Sequence, residues 1–187
     1  MKNSEKTAQI IERMGRLLSS GYNTDGFKPV QWEALRYLSQ ANVFSRTPSA
    51  LGEYLGVTKG SISQTLSTLE ERGLLRKNTD KKDKRGVRLD LTAAGRAFVA
   101  NGPLQNLIDS IESLSSVEQR ELANSLEKIL LKQLDSRDRK PFGQCRHCRH
   151  HRSEKGKFRC DLLDVPLQES SIELICLEFE SSSKTGS

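Results

Sequence analysis

The stretch from Thr47 to Gly95 leaves few folds open to this chain. Two short segments of helical apolar period are separated by a glycine, and two alternating strands with a charged connection follow. Thr47-Pro48 supplies an N-cap and a proline at the first helical position. Leu51, Tyr54 and Leu55 give that short helix its inward side. Gly56 closes it by permitting a positive φ, and Val57 anchors the turn. Thr58 caps the next helix, whose apolar stripe is Ile62, Leu66 and Leu69, and Gly73 ends it. Leu74-Leu75 opens a strand, and Val87, Leu89 and Leu91 alternate with Arg88 and Asp90 as in a half-buried strand. This order predicts a helix-turn-helix followed by a β-hairpin wing.

The outward face of the second of these helices is small and hydrogen-bonding. Gly60, Gln64, Ser67 and Glu71 lie on it, Lys59, Ser61 and Ser63 near its flanks, and Thr58 at its start. Such a face can approach base edges closely, with Gln64 suited to a bidentate contact with adenine and the serines to bases or phosphates. A plain solvated face explains the same residues equally well when they are taken alone. Arg76, Lys77, Lys81, Lys82, Lys84, Arg85 and Arg88 then crowd the hairpin against only Asp80 and Asp83. A positive wing beside such a helix is placed to reach phosphates or a minor groove. The formal net charge of +6 is modest, so its local concentration is what matters.

These two segments resemble the MarR family of winged helix-turn-helix transcription factors. The run from Val57 to Leu75 is similar to that family's recognition helix. Asp83-x-Arg85, an apolar strand and Leu-Thr-x-x-Gly from Leu91 to Gly95 are similar to its wing signature. The order of elements agrees from about residue 5 to 134. The resemblance implies that Arg85 enters the minor groove at the wing tip, braced by Asp83. It also implies that Ser63, Gln64 and Ser67 read the major groove, while Lys81, Lys82 and Lys84 add salt-dependent phosphate affinity.

The flanking segments are helical. Ile10, Ile11, Met14, Leu17 and Leu18 mark an apolar stripe from about Ser4 to Ser19, and a helix starting at Pro29 carries Val30, Ala34, Leu35 and Leu38. Trp32 and Tyr37 are expected in the core or an interface. Thr92 caps a further helical region interrupted at Asn101-Gly102-Pro103. Ser116-Val117-Glu118-Gln119 reads as a capping box for a last helix bearing Leu122, Leu126, Ile129, Leu130 and Leu134. One small winged domain cannot bury all these stripes, so an identical subunit is expected. Dimerisation through N- and C-terminal helices on a pseudo-palindromic double-stranded DNA site is also what the resemblance implies.

All four cysteines lie in the last quarter, in a tail foreign to that family's pattern. Cys145-x2-Cys148 is followed after eleven residues by Cys160 and after fifteen more by Cys176. The expected division is a winged domain over 1–134, a polar linker over 135–144, a cysteine module over 145–180 and a disordered end over 181–187. So few apolar residues argue against an independent core, and one metal centre held by Cys145, Cys148, Cys160 and Cys176 supplies the missing stability. Zinc and a 4Fe–4S cluster fit the pattern about equally. A metal-free thiol sensor is the third reading, with Cys145 and Cys148 activated by Arg146, Arg149 and nearby histidines. His147, His150 and His151 are expected as solvated residues of a basic patch shared with Arg146, Arg149, Arg152, Lys155, Lys157 and Arg159.

The sequence therefore predicts a mainly α chain with a small β wing, N- and C-terminal dimerisation helices and a cysteine-rich module. Its expected role is that of a cytoplasmic, homodimeric DNA-binding regulator, a repressor, responding to a redox, metal or small-molecule signal. No signal peptide or membrane span is apparent. A metal-dependent enzyme or redox carrier with a winged-helix adaptor is the alternative from another class, and no general-base or nucleophile constellation supports it.

Overall fold

The computed structural model describes residues 2–22, 26–79 and 86–181. The expectations placed on Lys81, Lys82, Asp83, Lys84 and Arg85, and on a disordered end from 182 onward, lie outside these residues. The described elements are α1 (Asn3–Gly21), α2 (Pro29–Gln40), α3 (Pro48–Leu55), α4 (Lys59–Glu71), β1 (Leu75–Thr79), β2 (Val87–Leu91), α5 (Ala93–Ala100), α6 (Gln105–Glu112) and α7 (Ser116–Asp135). The tail adds β3 (Gly143–Gln144), β4 (His151–Glu154), β5 (Lys157–Cys160), β6 (Val165–Leu167) and β7 (Ile175–Cys176). β1 pairs antiparallel with β2, β3 with β7, and β4, β5 and β6 form a three-stranded sheet.

Local chemistry sets the helix-turn-helix. Thr47 Oγ1 accepts the Ala50 N–H at 3.1 Å, Pro48 begins α3, and Gly56 ends it at a φ of 68°. Thr58 Oγ1 accepts the Ser61 N–H to start α4. Ile62, Leu66 and Leu69 are buried against Leu35 and Leu38 of α2, Leu51 of α3, and Leu75 and Leu89 of the wing. Burial of each such leucine contributes about 1.5–3 kcal/mol. Tyr22, Phe27, Trp32 and Phe98 form an aromatic cluster under α5, with Trp32 stacked on Phe98 at 4.1 Å between centroids.

The Leu-Thr-x-x-Gly motif has a packing cause. Thr92 Oγ1 donates to the Gly73 carbonyl at 2.7 Å and accepts the Gly95 N–H at 3.0 Å. A Cβ on Gly95 would lie 2.0 Å from the Leu74 carbonyl oxygen, so α5 reaches the start of the wing only with glycine there.

The flanking helices keep their stripes in solvent. No residue of α1, α6 or α7 is fully buried. Leu17 is 64% exposed, and Leu130 57%. The capping box of α7 is displaced by one residue from its expected place. Ser115 is the N-cap and exchanges hydrogen bonds with Glu118, whereas Gln119 turns its amide to the Leu114 carbonyl at 2.8 Å. Both Ser115-x-x-Glu118 and Ser116-x-x-Gln119 match the pattern, and the carboxylate is the stronger acceptor for the cap N–H.

The segment expected as a free linker is docked at its far end. Asp138 adopts a φ of 50°, after which Arg139 donates to the Glu53 and Tyr54 carbonyls. Phe142 packs edge-on against Tyr54 at 5.2 Å. Tyr54, expected inward, remains 38% exposed and instead forms the platform between Tyr37 and Phe142. Beyond it the cysteine module does have a core of its own, made of Cys145, Ile172, Cys176 and Phe179, with Cys148, Phe158 and Leu167 around it.

Candidate nucleic-acid interface and cysteine module

α4 presents Lys59, Ser61, Ser63 and Gln64 to solvent, while Ser67 is half-buried and Thr65 is buried beside the apolar stripe. The hydroxyls of Thr58 and Ser61 lie 3.1 Å apart and are engaged in the cap. These contacts hold the start of the helix in place. Ser63, Gln64 and Lys59 make no side-chain hydrogen bond among the described residues, and they form the available donor and acceptor set. Arg88 is exposed on β2, opposite Asn78. A groove lined by Pro48, Gly52, Val57, Ile62 and Val87 runs between α3, α4 and the wing base.

The wing is tied to its neighbours at both ends. Glu70 Oε1 accepts the Lys77 N–H at 3.0 Å, and its other oxygen pairs with Lys77 Nζ at 2.8 Å. The Lys77 hydrogen bonds lower the Glu70 carboxyl below its ordinary range. On the opposite strand Leu89 N–H donates to the Arg46 carbonyl at 2.8 Å, and the Arg46 guanidinium lies 3.4 Å from Asp90.

The tail's positive charge is balanced within the module. Arg146 pairs with Glu173, Arg149 with Glu180, Arg152 with Asp161 and Arg159 with Asp164. The expected basic patch is therefore corrected, because folding sets an acidic side chain against each of these four arginines. The histidines are not uniformly solvated either. His150 Nε2 lies 3.0 Å from Glu180 Oε1, and that contact lowers the Glu180 carboxyl. His151 stacks on Phe158, and its Nε2 is buried without a hydrogen-bond partner.

Three of the cysteines converge and the fourth stands apart. Cys145 and Cys176 are buried side by side, with a hydrogen bond between their thiols. That bond holds the Cys145 thiol up and brings Cys176 down to about 6, helped by hydrogen bonds from Asn42, the Glu178 N–H and Ser45. Cys148 Sγ accepts the Glu180 N–H at 3.5 Å. Cys160 pairs across the β4–β5 ladder with His151. The module thus gathers thiols and one unpartnered imidazole nitrogen, a donor set whose chemistry suits a soft ion or cluster. Yet among the described residues no three His, Cys, Asp or Glu side chains are grouped so as to hold a metal ion. Cys145, Cys148 and Cys176 belong to one cluster, and Cys160 lies on β5, outside that cluster.

Residues 25–86 match the MarR family. The cysteine module lies outside the residues matched. The fold is similar to that of an S. aureus MepR mutant, with a TM-score of 0.55 at 22% identity, covering 71% of this chain and 99% of that one. The transcriptional regulator BldR from Sulfolobus solfataricus matches with a TM-score of 0.51 at 25% identity, again over 71% and 99%. An S. aureus MepR–DNA complex gives 0.51 at 21% identity, over 71% and 98%. Among the described residues no helix is long and apolar enough to cross a membrane.

Proposed function

We propose that this chain is a homodimeric, sequence-specific DNA-binding regulator, a repressor, whose cysteine module receives the signal. The observation that carries the DNA reading is the exposed Lys59-Ser63-Gln64 face of α4, held beside a rigidly tied wing. The bare apolar stripes of α1 and α7 support pairing with a second copy, which sets two α4 helices on the two halves of a pseudo-palindrome. Gln64 and Ser63 then read base edges, and Arg85, Lys81, Lys82 and Lys84 contact phosphates and the minor groove, with Asp83 bracing Arg85. Anisotropy titration of the full chain against a duplex from upstream of its own gene tests this. Affinity should fall steeply with salt, and removing one phosphate-contacting lysine should reduce the log–log salt slope by about 1. Salt-independent or absent binding overturns the reading.

The input chemistry has two forms, each favoured by one observation. The Cys145–Cys176 hydrogen bond favours a thiol pair that responds to oxidants. The partnerless His151 Nε2 and the convergence of Cys145, Cys148 and Cys176 favour a thiolate-held zinc or 4Fe–4S centre, to which Cys160 would be drawn. Absorbance and metal analysis of protein purified without oxygen separate them. Brown protein identifies a cluster and metal-free protein the thiol pair, whereas colourless protein with bound zinc makes the module structural and overturns its role as receiver of the signal.

A further inference from the structure

Two of the buried polar side chains, Asn42 at 2% exposure and Ser45 at 0%, lie in one tight corner between α2 and α3. Both are bonded to the cysteine module. Asn42 N–H donates to the Ile175 carbonyl at 2.9 Å, and its side-chain amide donates to Cys145 Sγ at 3.5 Å. Ser45 Oγ accepts the Leu177 N–H at 2.8 Å, and its hydroxyl lies against Cys176. Ala41 and Ile175 form a parallel bridge alongside. The module is therefore joined to the corner on both sides of its central thiol pair.

The same corner also holds the wing. Asn42 Oδ1 accepts the Phe44 and Ser45 N–H groups at 3.1 and 2.9 Å and so shapes the turn that leads into Arg46. Arg46 Nε donates back to the Ala41 carbonyl at 2.9 Å, fixing the guanidinium. Its carbonyl takes the Leu89 N–H, and its guanidinium pairs with Asp90, which also accepts from Asn78 Nδ2 at 2.8 Å. Both strands of the wing are thereby connected, through five consecutive residues, to Cys145 and Cys176.

We infer that Asn42, Ser45 and Arg46 are positioning residues that transmit the state of the cysteine module to the wing. Buried polar groups keep their partners or rearrange, because an unmet one in a closed interior is costly. When a change at Cys145 or Cys176 moves β7, Asn42 and Ser45 lose the partners that fix the turn. The Arg46 carbonyl and guanidinium then shift, and the wing loses its fixed placement against α4. The docked module is the DNA-competent state, and its release weakens binding. This inference rests on the regulator reading above for its consequence, but its structural core does not need DNA.

The test is therefore made in two parts on the full chain. Hydrogen exchange at the Leu89 amide reads the relay directly. Replacement Cys145→Ser/Cys176→Ser, or Leu177→Pro, which removes the N–H that Ser45 accepts, should speed Leu89 exchange about tenfold. In a Ser45→Ala/Arg46→Gln background the same replacements should add little, since the connection is already cut. Leu89 exchange unmoved by both replacements, in chains whose far-UV circular dichroism is native, overturns the relay. DNA anisotropy reads the consequence: the cysteine replacement should weaken affinity about tenfold in the parent and much less in the cut background. Equal losses in both backgrounds also overturn the relay. A parent chain that binds no DNA, with Leu89 responding as expected, overturns the regulator reading alone.

Discussion

Arg139 occupies the space that a side chain on Gly56 would take: a Cβ there would lie 2.6 Å from the guanidinium. The same guanidinium donates to the Glu53 and Tyr54 carbonyls at 2.8 and 2.9 Å, at the C-terminal end of α3 where carbonyls lack helical partners. A residue beyond the last long helix thus completes the turn of the helix-turn-helix. Gly56→Ala should lower stability by about 1–2 kcal/mol, chiefly from the positive φ. Combination with Arg139→Ala should be less than additive in urea midpoints, because alanine at 56 already displaces the guanidinium. Full additivity would show that the two positions are independent.

Gly95→Ala should be worse. The Leu74 carbonyl it meets also accepts the Thr92 N–H at 3.1 Å, so the oxygen cannot retreat without breaking the α5 cap. A loss of about 1–3 kcal/mol or more is expected in urea or thermal unfolding. A fully stable variant would contradict the close approach.

The Glu70–Lys77 contact gives stability a defined pH dependence. The folded-state carboxyl is depressed by the Lys77 hydrogen bonds, so its contribution is present above the unfolded glutamate value of about 4.3. It is lost as pH falls through the lower folded value. Glu70→Gln should therefore cost stability at neutral pH and nothing at strongly acid pH, read as the difference between urea midpoints at the two conditions. Because the carboxylate is 40% exposed, that cost at neutral pH should be small. A difference that grows toward acid would reverse the assignment.

Leu130→Lys probes the bare stripe of α7. The side chain is 57% exposed in the protomer, so the single chain's own fold should change by no more than about 0.5 kcal/mol. Light scattering after gel filtration should show the variant shifted from dimer to monomer, and DNA affinity should drop with it. A variant that remains dimeric at the same concentration would place the subunit contact elsewhere.

Much of the head was legible because its signals are local. Thr47, Thr58 and Thr92 cap helices three residues away, Gly56 and Gly73 take positive φ, and the stripe Ile62, Leu66 and Leu69 follows helical period. Thr65 was missed because its burial comes from neighbouring elements, with nothing in its own spacing to mark it. The α7 cap slipped by one residue because two overlapping matches compete, and geometry alone chooses between them.

The tail was the less legible half. The chain order shows Arg146, Arg149, Arg152 and Arg159 as a basic run, yet each meets an acid that only folding delivers. Asn42 and Ser45 carry no signal at all in the sequence, since short polar residues before a helix read as ordinary loop. Their importance appears only when Ile175 and Leu177 arrive from more than a hundred residues away.

By itself, then, the sequence determined the winged-helix head, its unpartnered flanking stripes and the clustering of thiols in one tail. Caps, glycine turns and apolar period depend on neighbours within a turn or two of chain, so they can be read in order. The tertiary structure decided where that tail sits: Arg139 on the end of α3, Phe142 on Tyr54, and the Cys145–Cys176 pair against Asn42 and Ser45. Those placements depend on long-range closure and on the matching of buried donors to acceptors, which no local spacing encodes.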